Sequence, residues 1–415
     1  MARDRLLVLS YVLPFPGTSG QQQRVSYTLQ AARKQFHVTF ATSVAPAKER
    51  EVREKLLALC DDVLLLPSRY PRHVAGRAWH KAVGTLRSLT TGLKYSNYII
   101  GELEFPPDRV ASMLNGHKFD CVLFEYWHAA ESTSVFRRIG TPCLLDMHNI
   151  LWQDYARDVN ASPRAPEFWK SRAIRRYREH EEHAWKKFDG LITINREEHD
   201  YVQRQNAGSS SLFYAPMGTD LSLWPYSWTP VQPIRLAYYG GLGSKHNQLD
   251  ALRCYEKIMP EIWRSFPDAE LWLIGSNPPQ SLRTLASNPR VKVTGFIKDV
   301  QKLLSTMSVV LCPWTGTYGF RSRLIEVMAL GVPLVASSDA IYGMELEHGT
   351  DLLLGETDHD LASHALRLLN DEQSAVKQSQ QARRNVERLY SLNSTYDRLI
   401  AELSDWLETN RRKVA

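Results

Sequence analysis

The fold is decided by the stretch from residue 309 to residue 336, VVLCPWTGTYGFRSRLIEVMALGVPLVA. Its first part, Val309–Cys312, is apolar and typical of a buried parallel strand. Residues 313–320 have the glycines of a loop, and residues 321–330 have the apolar spacing of a helix that a glycine ends. The apolar run at residues 333–336 begins another strand. Strand, loop, helix and strand in this order predict a parallel βαβ unit.

The same alternation extends along the whole chain. The strand candidates are residues 6–12, 38–41, 63–66, 121–124, 143–145 and 191–194, and then 234–239, 270–274, 291–293, 309–312 and 333–336. The main helix candidates are residues 21–34, 167–187, 248–261, 324–330 and 360–370. A segment rich in tryptophan and proline, residues 224–233, interrupts the pattern and is typical of a linker. We therefore predict an α/β protein with two doubly wound parallel-sheet lobes, residues 1–227 and 228–384.

The composition is that of an ordinary globular protein, because 43% of the 415 residues are hydrophobic and 23% are charged. The five cysteines have neither zinc-site nor redox-motif spacing, which favours a reducing compartment. The apolar N-terminal run ends at Pro14 without the small-residue cleavage site of a signal peptide. No apolar stretch approaches the ~18 residues that span a bilayer. We expect a cytoplasmic protein.

Residues 69–94 carry basic side chains and no acidic one, although the formal net charge of the chain is only +6. The basic residues are Arg69, Arg72, His73, Arg77, His80, Lys81, Arg87 and Lys94, interleaved with Tyr70, Trp79 and Leu86. Two interpretations are open: a solvated helical face, or a peripheral contact with the anionic inner face of a membrane or with an acidic acceptor. No recognition motif accompanies the basic residues, which argues against a nucleic-acid partner.

The strongest candidate chemistry lies in the second lobe. Gly241 and Gly243 directly follow a strand candidate, and Lys245 comes next. Such a loop lets the backbone approach a phosphate, although a plain tight turn has the same composition. Arg321 and Arg323 stand in the first turn of a helix, where the helix dipole disfavours cations unless an anion is bound. A bound diphosphate would explain both arginines.

Glu326 lies on the same helix as these arginines. Its carboxylate can accept hydrogen bonds from a pair of ribose or sugar hydroxyls. The alternative is a surface ion pair between Arg323 and Glu326, worth about 0.2–0.5 kcal/mol.

The first lobe offers a histidine at the end of a strand. His148 follows the strand candidate at residues 143–145, so we expect it at the carboxyl edge of the sheet, where α/β proteins bind ligands. The alternative is a loop histidine that orients Asn149. Glu125 and His128 follow the neighbouring strand candidate and are candidates for contact with a sugar or an acceptor.

Several of these segments resemble a known family. Residues 313–336, with the run EVMALGVPLVA, resemble the donor-binding signature of the retaining GT-B glycosyltransferases of family four. The segments 14–21, 189–195, 215–220 and 293–300 resemble other parts of the family in the same order. The resemblance implies two Rossmann-like lobes that face each other across a cleft, and a helix within residues 385–415 that crosses back to the first lobe.

The resemblance also implies roles for individual residues. Glu326 matches the glutamate that binds the donor ribose, Arg323 would contact the diphosphate, and His148 would lie beside the reacting sugar. Tyr318 stands where the family usually has an earlier glutamate that contacts the transferred sugar, which makes Tyr318 a sugar or acceptor candidate. The other donor-binding candidates are Gly17, Gly20, Gly241, Gly243, Lys245, Ile297, Gly319, Phe320 and Arg321.

The implied reaction is transfer of a sugar from a nucleotide diphosphate sugar, with retention and without a metal ion or other cofactor. A UDP-sugar is favoured only because it is the commonest donor of the family, and the acceptor can be a glycan, a lipid-linked sugar or a small molecule. Alternatives are a non-catalytic nucleotide-sugar or carbohydrate binding protein, a nucleotide-sugar epimerase of the same fold, and a nicotinamide dehydrogenase. The last lacks a complete dinucleotide fingerprint.

Two metal-like motifs have simpler explanations. His180 and His183 are three residues apart, whereas the zincin motif needs four, and the acidic and basic residues around them predict a solvated helix. Asp358 and Asp360 have the spacing of an Asp-x-Asp metal motif. They stand where a helix begins, however, which predicts helix capping.

Overall fold

The computed structural model describes residues 3–71, 73–161, 166–206, 208, 210–317 and 319–414, with side chains to residue 411. It divides into two units, one made of Met1–Pro216 with Tyr396–Ala415 and the other of Met217–Thr395. The sequence pattern places the division at residues 227/228 instead. The difference arises because the segment that resembles a linker packs on the second unit: Trp224 is buried there, and the indole nitrogen of Trp228 donates to the carbonyl oxygen of Met307 at 2.9 Å.

Each unit is built on a parallel sheet. The strands in chain order are β1 (Arg5–Leu9), β2 (His37–Val44), β3 (Asp62–Pro67), β4 (Cys121–Glu125), β5 (Cys143–Asp146), β6 (Gly190–Thr193), β7 (Ser211–Tyr214), β8 (Arg235–Tyr239), β9 (Glu270–Ile274), β10 (Val291–Val293), β11 (Val309–Cys312), β12 (Leu334–Ser337) and β13 (Leu353–Gly355). The first sheet has the order β3-β2-β1-β4-β5-β6-β7 and the second the order β10-β9-β8-β11-β12-β13. Every strand candidate is confirmed. The sequence pattern misses β7 and β13, which are short strands at sheet edges.

Helices connect the strands. The α-helices of the described residues are α1 (Gly20–Ala32), α2 (Glu49–Leu57), α3 (Val74–Thr91), α4 (Tyr95–Asn97), α5 (Pro107–Leu114), α6 (Thr133–Arg137), α7 (Leu151–Asn160), α8 (Glu167–Trp185), α9 (Arg196–Asn206), α10 (Lys245–Arg253), α11 (Met259–Ser265), α12 (Gln280–Arg283), α13 (Val300–Leu304), α14 (Ser322–Leu330), α15 (Asp358–Asn370), α16 (Glu372–Leu389) and α17 (Arg398–Val414). Short 3₁₀ or π segments lie at Pro46–Lys48, Tyr98–Glu104, Trp127–Ser132, Cys254–Ile258, Thr284–Ser287, Ser338–Ile341 and Asn393–Asp397. Strands and helices alternate in both units, which confirms the predicted α/β class.

One predicted helix is interrupted. The expected helix at residues 248–261 is instead α10, the π segment Cys254–Ile258 and then α11. Pro260 stands at the start of α11, and a proline lacks the N–H group and crowds the carbonyl one turn earlier. The π segment absorbs this break in the hydrogen-bond ladder.

The strand order decides where ligands can bind. In the first sheet the order reverses between β1 and β4, and in the second it reverses between β8 and β11. Open parallel sheets bind ligands beyond the carboxyl ends of the strands at such a reversal, because the two connections leave in opposite directions. The loops after β1, β4, β8 and β11 carry most of the candidate residues, while His148 follows β5 and Ile297 follows β10.

The C-terminal helix packs on the first unit, as predicted. In α17, the indole nitrogen of Trp406 donates to the Ser211 hydroxyl at 2.8 Å, and Arg411 forms an ion pair with Asp4 at 2.9 Å. At the start of the returning segment, Lys34 and Asp397 form an ion pair at 2.7 Å. These contacts join the last part of the chain to the N-terminal sheet.

The capping prediction for the acidic pair is also confirmed. The backbone N–H of Asp360 donates to the Thr357 hydroxyl at 3.1 Å, and the Asp360 carboxylate accepts from the Thr357 backbone at 2.9 Å. Asp358 forms an ion pair with Arg253. None of the helices in the described ranges is both long and apolar enough to cross a membrane.

Candidate active site

His148 lies on a strained turn at the carboxyl edge of the first sheet. The chain leaves β5 at Asp146, and the backbone N–H of Asn149 donates to the carbonyl oxygen of Met147 at 2.7 Å. His148 is the central residue of this three-residue turn and has φ +58°, a conformation that costs free energy in any residue with a side chain. Strain of this kind concentrates at functional sites. The side chain of Asn149 donates to Asp154 at 2.5 Å, so its orientation is set by Asp154 rather than by His148.

A second strained residue supports the histidine ring. Tyr126 follows β4 directly and has φ +68° and ψ 150°, a region that is occupied almost only by glycine. Its ring stacks on the ring of His148, with centroids 4.2 Å apart and 12° between the planes. Glu125, the last residue of β4, is buried and hydrogen-bonded to Nε2 of His148. Two neighbouring strand ends therefore hold one imidazole by stacking and by a carboxylate.

The carboxylate of Glu125 is tuned by its surroundings. Burial raises the pKa of Glu125, and repulsion from Asp146 raises it further, while His148 and Arg24 oppose the rise. Oε1 of Glu125 has no hydrogen-bond partner among the described residues. The sequence places Glu125 among the sugar or acceptor candidates, and the structure places it behind the histidine.

A buried ion pair underlies this group. Nε of Arg24, on α1, lies 2.7 Å from one oxygen of Asp146, and both side chains are fully buried. Burial disfavours the charged guanidinium, but its interactions with Asp146, Tyr396 and Glu125 together outweigh this effect, and the pKa of Arg24 is raised. Arg24 also donates to the carbonyl oxygen of Ala215 at 3.0 Å, and it faces the ring of Tyr396 at 5.9 Å. The pair thus ties α1 to the strand end that bears His148.

The far side of the histidine turn is anchored at the start of α7. Glu181, on α8, is buried and accepts hydrogen bonds from the backbone N–H groups of Leu151 and Trp152 at 2.9 and 2.6 Å. An acid suits this position, because the first N–H groups of a helix have no partners within the helix. Burial nevertheless raises the pKa of Glu181 to about 8. The predicted solvated helix at residues 180–183 is therefore wrong for Glu181.

Glu125, Asp146 and His148 also form a group with metal-ligand chemistry. One candidate ligand atom of each lies within 4.8 Å of the others, and all three are buried. The guanidinium of Arg24 already neutralises Asp146, with Nε 2.9 and 2.7 Å from its two oxygens. The same arrangement therefore works as a charge-balanced hydrogen-bond network of the protein's own side chains.

The other first-unit candidates are His128, which follows β4, and Gly17 and Gly20, which follow β1 in the same sheet. Burial lowers the pKa of His128 to about 3, with a further contribution from Lys94, so its ring is neutral. The ring of His128 stacks on Trp127 at 5.7 Å. Gly17 has φ +81°, which glycine adopts without cost, and the exposed Gly20 begins α1. The loop after β1 therefore leads directly into a helix whose first N–H groups lie at the sheet edge.

In the second unit, the structure brings Arg323 to the glycine loop. A Cβ atom placed on Gly241 would lie 3.6 Å from the Arg323 guanidinium, and that guanidinium faces the ring of Tyr239 at 5.3 Å. Tyr239, the last residue of β8, donates its hydroxyl to the buried Glu326 carboxylate at 3.1 Å. Burial and the nearby Glu326 raise the pKa of Tyr239. Among the described residues, no carboxylate lies within ion-pair distance of Arg323.

Arg321 organises the loop after β11. It caps α14 with φ −99° and ψ 76°, donates to the carbonyl oxygen of Gly316 at 3.0 Å and stacks over Trp314 at 4.0 Å. Gly319 has φ +63°, and the half-buried Phe320 packs against the core of this unit. Tyr318 lies outside the described residues.

The remaining donor-binding candidates flank this loop. Lys245 is the exposed first residue of α10, and a Cβ atom on Gly243 would lie 3.2 Å from Asn277. Ile297 is half-buried in the turn after β10, next to the exposed Phe296. These residues lie at the carboxyl edge of the second sheet, the edge expected from the strand reversal.

Sequence reasoning missed several residues of these two sites. Arg24 carried a signal, since it stands on the buried stripe of a helix beside Val25 and Thr28, where an unpaired cation is not tolerated. Gly275 is a second example, because a Cβ atom there would lie 1.6 Å from the carbonyl oxygen of Gly240. Asp250 is a third, and burial raises its pKa to about 7 although Arg253 and Arg321 oppose the rise. For these last two, nothing local in the sequence indicates the contact.

The fold and the two strand-end sites define an α/β protein with two Rossmann-like units in one chain. Family profiles identify it further. The profile of the "Glycosyl transferase 4-like domain" matches residues 19–218, and that of "Glycosyl transferases group 1" matches residues 233–371. Together they cover most of the chain, which therefore belongs to the group 1 glycosyltransferases of the GT4 type.

Solved structures agree on the GT-B fold. Sucrose-phosphate synthase of Thermosynechococcus elongatus is 16% identical, with a TM-score of 0.65 and 100% of both chains covered. The HepE protein of Anabaena, solved with UDP-glucose, is 15% identical with a TM-score of 0.60, and 97% of this chain and 100% of that chain are covered. A putative UDP-N-acetylglucosamine 2-epimerase of Listeria monocytogenes is 14% identical with a TM-score of 0.58, and 98% of each chain is covered. A search of curated protein sequences gave no match.

Proposed function

We propose that this glycosyltransferase moves a sugar from a nucleotide diphosphate sugar to an acceptor, with a UDP-sugar as the favoured donor. The transferred sugar would retain its configuration at the anomeric carbon. The observation that carries the proposal is the position of Arg323, next to Gly241 and in the first turn of α14. Backbone N–H groups and the helix dipole attract an anion there, and Arg323 adds a fixed charge. HepE, of the same fold, was solved with UDP and with UDP-glucose, which supports the choice of base.

The donor diphosphate would be held by the second unit. Arg323, Arg321 and Lys245 would stabilise the negative charge that develops on the leaving phosphate, the part that a metal ion plays in other transferases. Glu326, oriented by the Tyr239 hydroxyl, would accept hydrogen bonds from the ribose. We therefore propose metal-independent transfer. A chelator should leave the transfer rate unchanged.

His148 would contact the reacting sugar from the first unit. Its ring is held by Tyr126 and by Glu125, so little reorganisation is needed during the reaction. His148→Ala should lower transfer much more than it lowers nucleotide binding, because the proposed contacts with the diphosphate come from residues of the second unit. His183→Ala, on the exposed face of α8, is the matched control and should leave transfer unchanged.

The first experiment is a thermal-shift panel of UDP, GDP, ADP, TDP and NAD. A ligand at 100 times its dissociation constant adds about 2.7 kcal/mol of stability, which such a panel detects. We expect one diphosphate to raise the midpoint and Arg323→Ala to abolish the shift. A shift with NAD alone would contradict the proposal.

The similar structure of a putative UDP-N-acetylglucosamine 2-epimerase supports a second candidate function, nucleotide-sugar epimerisation. Turnover of the donor without any acceptor would favour an epimerase, whereas turnover that requires an acceptor supports transfer. The anomeric configuration of the product, read by NMR, tests retention. Donor binding without turnover under either condition would favour a non-catalytic binding protein.

The five cysteines of the chain are free, four of them buried, which supports our proposal of a cytoplasmic enzyme. The proposed acceptor is a glycan, a lipid-linked sugar or a small molecule.

A further inference from the structure

We propose that α3 docks on the surface of an anionic phospholipid bilayer and so brings the protein to a membrane-embedded acceptor. The docking stands on the surface of the first unit alone, and the choice of acceptor rests on the proposed transferase function.

Helix α3 exposes its apolar stripe instead of burying it. The side chains that point to solvent include Val74, Trp79, Leu86 and Leu89, which are 82%, 66%, 63% and 74% exposed. Ala75, Ala78 and Ala82 extend the same stripe and are exposed as well. In a surface helix of a globular protein the apolar stripe normally faces the core. An outward stripe of this size marks an interaction surface.

The opposite face of α3 contacts the protein, and Gly84 is the one residue of the helix that is buried. His80 is hydrogen-bonded to the Tyr98 hydroxyl at 2.8 Å, and Arg87 forms an ion pair with Glu102 at 3.0 Å. A Cβ atom on Gly84 would lie 2.2 Å from the ring of Tyr95, so the glycine is needed for this close approach. The apolar stripe is therefore a second face in addition to the packed one.

The charges beside the stripe select the partner. Arg69, Arg77 and Lys81 are exposed, and no acidic residue occurs between residues 68 and 94. Basic side chains next to an apolar stripe with a tryptophan are the features of a helix that lies in the headgroup region of an anionic membrane. Helix α3 has no acidic residue, so a symmetric dimer through this face would offer Arg77 and Lys81 no carboxylate on the partner helix. The surface thus fits a bilayer better than a second copy of this chain.

Helix α3 begins at the carboxyl edge of the first sheet, the edge that bears the candidate residues of the first unit. The helix begins soon after β3 ends at Pro67, on the edge where β1, β4 and β5 also end. Aromatic side chains line the connection: the Tyr95 hydroxyl donates to that of Tyr70 at 3.2 Å, and the ring of Tyr98 lies 5.9 Å from His80. An acceptor anchored in the bilayer would reach the first unit beside the loops that carry its candidate residues.

The test is cosedimentation of the full chain with vesicles of phosphatidylcholine, with and without phosphatidylglycerol, at low and at high salt. We expect binding only to the anionic vesicles, weakened by salt, because each basic residue near the surface and each buried apolar group adds to the affinity. The variant Trp79→Ser/Leu86→Ser/Leu89→Ser should lose at least about tenfold in partition coefficient, and Arg77→Gln/Lys81→Gln should lose severalfold. The matched control, Leu57→Ser/Ile139→Ser, removes exposed apolar residues elsewhere in the first unit and should bind like the wild type.

Several results would overturn the inference. One is a wild-type chain that stays in the supernatant with anionic vesicles at low salt, and another is a triple variant that binds as well as the wild type. A dimer that dissociates in the triple variant, without vesicle binding, would assign the face to self-association. Circular dichroism melting checks that the variants fold.

The transferase proposal is read out separately. The triple variant should bind the donor normally and lose transfer only to an acceptor presented in vesicles. If vesicles bind but no donor does, the transferase proposal fails and the docking surface stands; if donor binding is normal and vesicles do not bind, only the docking inference fails.

Discussion

The two candidate sites are built in opposite ways. In the first unit the charged groups are buried and paired with one another: Arg24 with Asp146, and Glu125 with His148. In the second unit the cations are partly or fully exposed, and Arg323 and Lys245 stand near a glycine loop and helix starts. The ionisable groups of the first site pair with one another, while the second site presents positive charge to solvent.

This difference teaches which ligand each site suits. A site with balanced charge and strained, stacked rings offers shape and a fixed proton-bearing group, which suits a neutral sugar ring. A site with Arg323 and Lys245 in the first turns of two helices offers electrostatic attraction, which suits a diphosphate. Variants that remove the internal pairing of the first site, or the cations of the second site, test this difference between the two sites.

The largest effect is expected from the buried ion pair. Arg24→Met leaves Asp146 charged, fully buried and without its guanidinium, which should destabilise the protein by about 3–5 kcal/mol. The double variant Arg24→Met/Asp146→Leu removes both charges and should recover much of that loss. Urea unfolding followed by circular dichroism measures both.

An exposed pair supplies the control for this prediction. Arg50 and Glu54 form an ion pair on α2 with side chains 94% and 65% exposed, so Arg50→Met should leave the urea midpoint unchanged. If Arg24→Met behaved like Arg50→Met, the buried pair would have no part in organising the first site.

The next effect concerns the cation of the second site. Arg323→Ala should lower kcat/KM for the donor by about 100- to 1,000-fold, as when a single preorganised donor to a developing charge is removed. Arg323→Lys should restore part of the loss, because an ammonium keeps the charge but lacks the planar fork. Arg264→Ala, an exposed arginine of α11, is the control and should have no effect. Equal kcat/KM in the two alanine variants would remove Arg323 from the site.

The part of the molecule that could be predicted from sequence follows from local information. Strand periodicity and helix-stop residues located both sheets. His148 and Gly241 follow strand ends, and Arg323 begins a helix, at the carboxyl edges that the topology then brings together within each sheet. Long-range partners could not be predicted. The contact of Arg24 with Asp146 spans 122 residues, and only the packing of α1 on the first sheet creates it.

The same limit explains the division between the units and the exposed face of α3. The proline-rich segment with Trp224 resembles a linker until the second core is present to bury the indole. In α3, the basic residues are visible in the sequence, but which of its two faces packs on the protein depends on Tyr95 and Tyr98, which follow the helix.

A third prediction concerns pH. Burial raises the pKa of Asp250 to about 7, whereas an aspartate in an unfolded chain titrates near pH ~3.9. Between these values the native state holds a proton that the unfolded chain has released, so stability falls as the pH rises through this window. We expect a loss of roughly 1–2 kcal/mol from about pH 5 to about pH 7.

The variant Asp250→Asn stays neutral and should flatten this pH dependence when urea midpoints are compared. Asp268→Asn, at an exposed position before β9, should keep the wild-type slope. A slope that Asp250→Asn leaves intact would assign the pH dependence to other groups.

The smallest predicted effect tests how the first site holds its histidine. Glu125 is fully buried behind His148, so we treat it as a positioning residue that acts through the ring. Glu125→Gln keeps a hydrogen bond but removes the charge of the pair, and it should lower kcat by about tenfold while leaving the donor KM unchanged. Because burial raises the pKa of Glu125, its replacement removes a titrating group beside the ring, and the pH profile of kcat should also shift, which a purely structural role would not produce. Glu131→Gln, with a side chain 76% exposed, is the control. An unshifted profile in Glu125→Gln would mean that the carboxylate only fills space, and the contrast between a charge-balanced first site and a cationic second site would then rest on Arg24 and Asp146 alone.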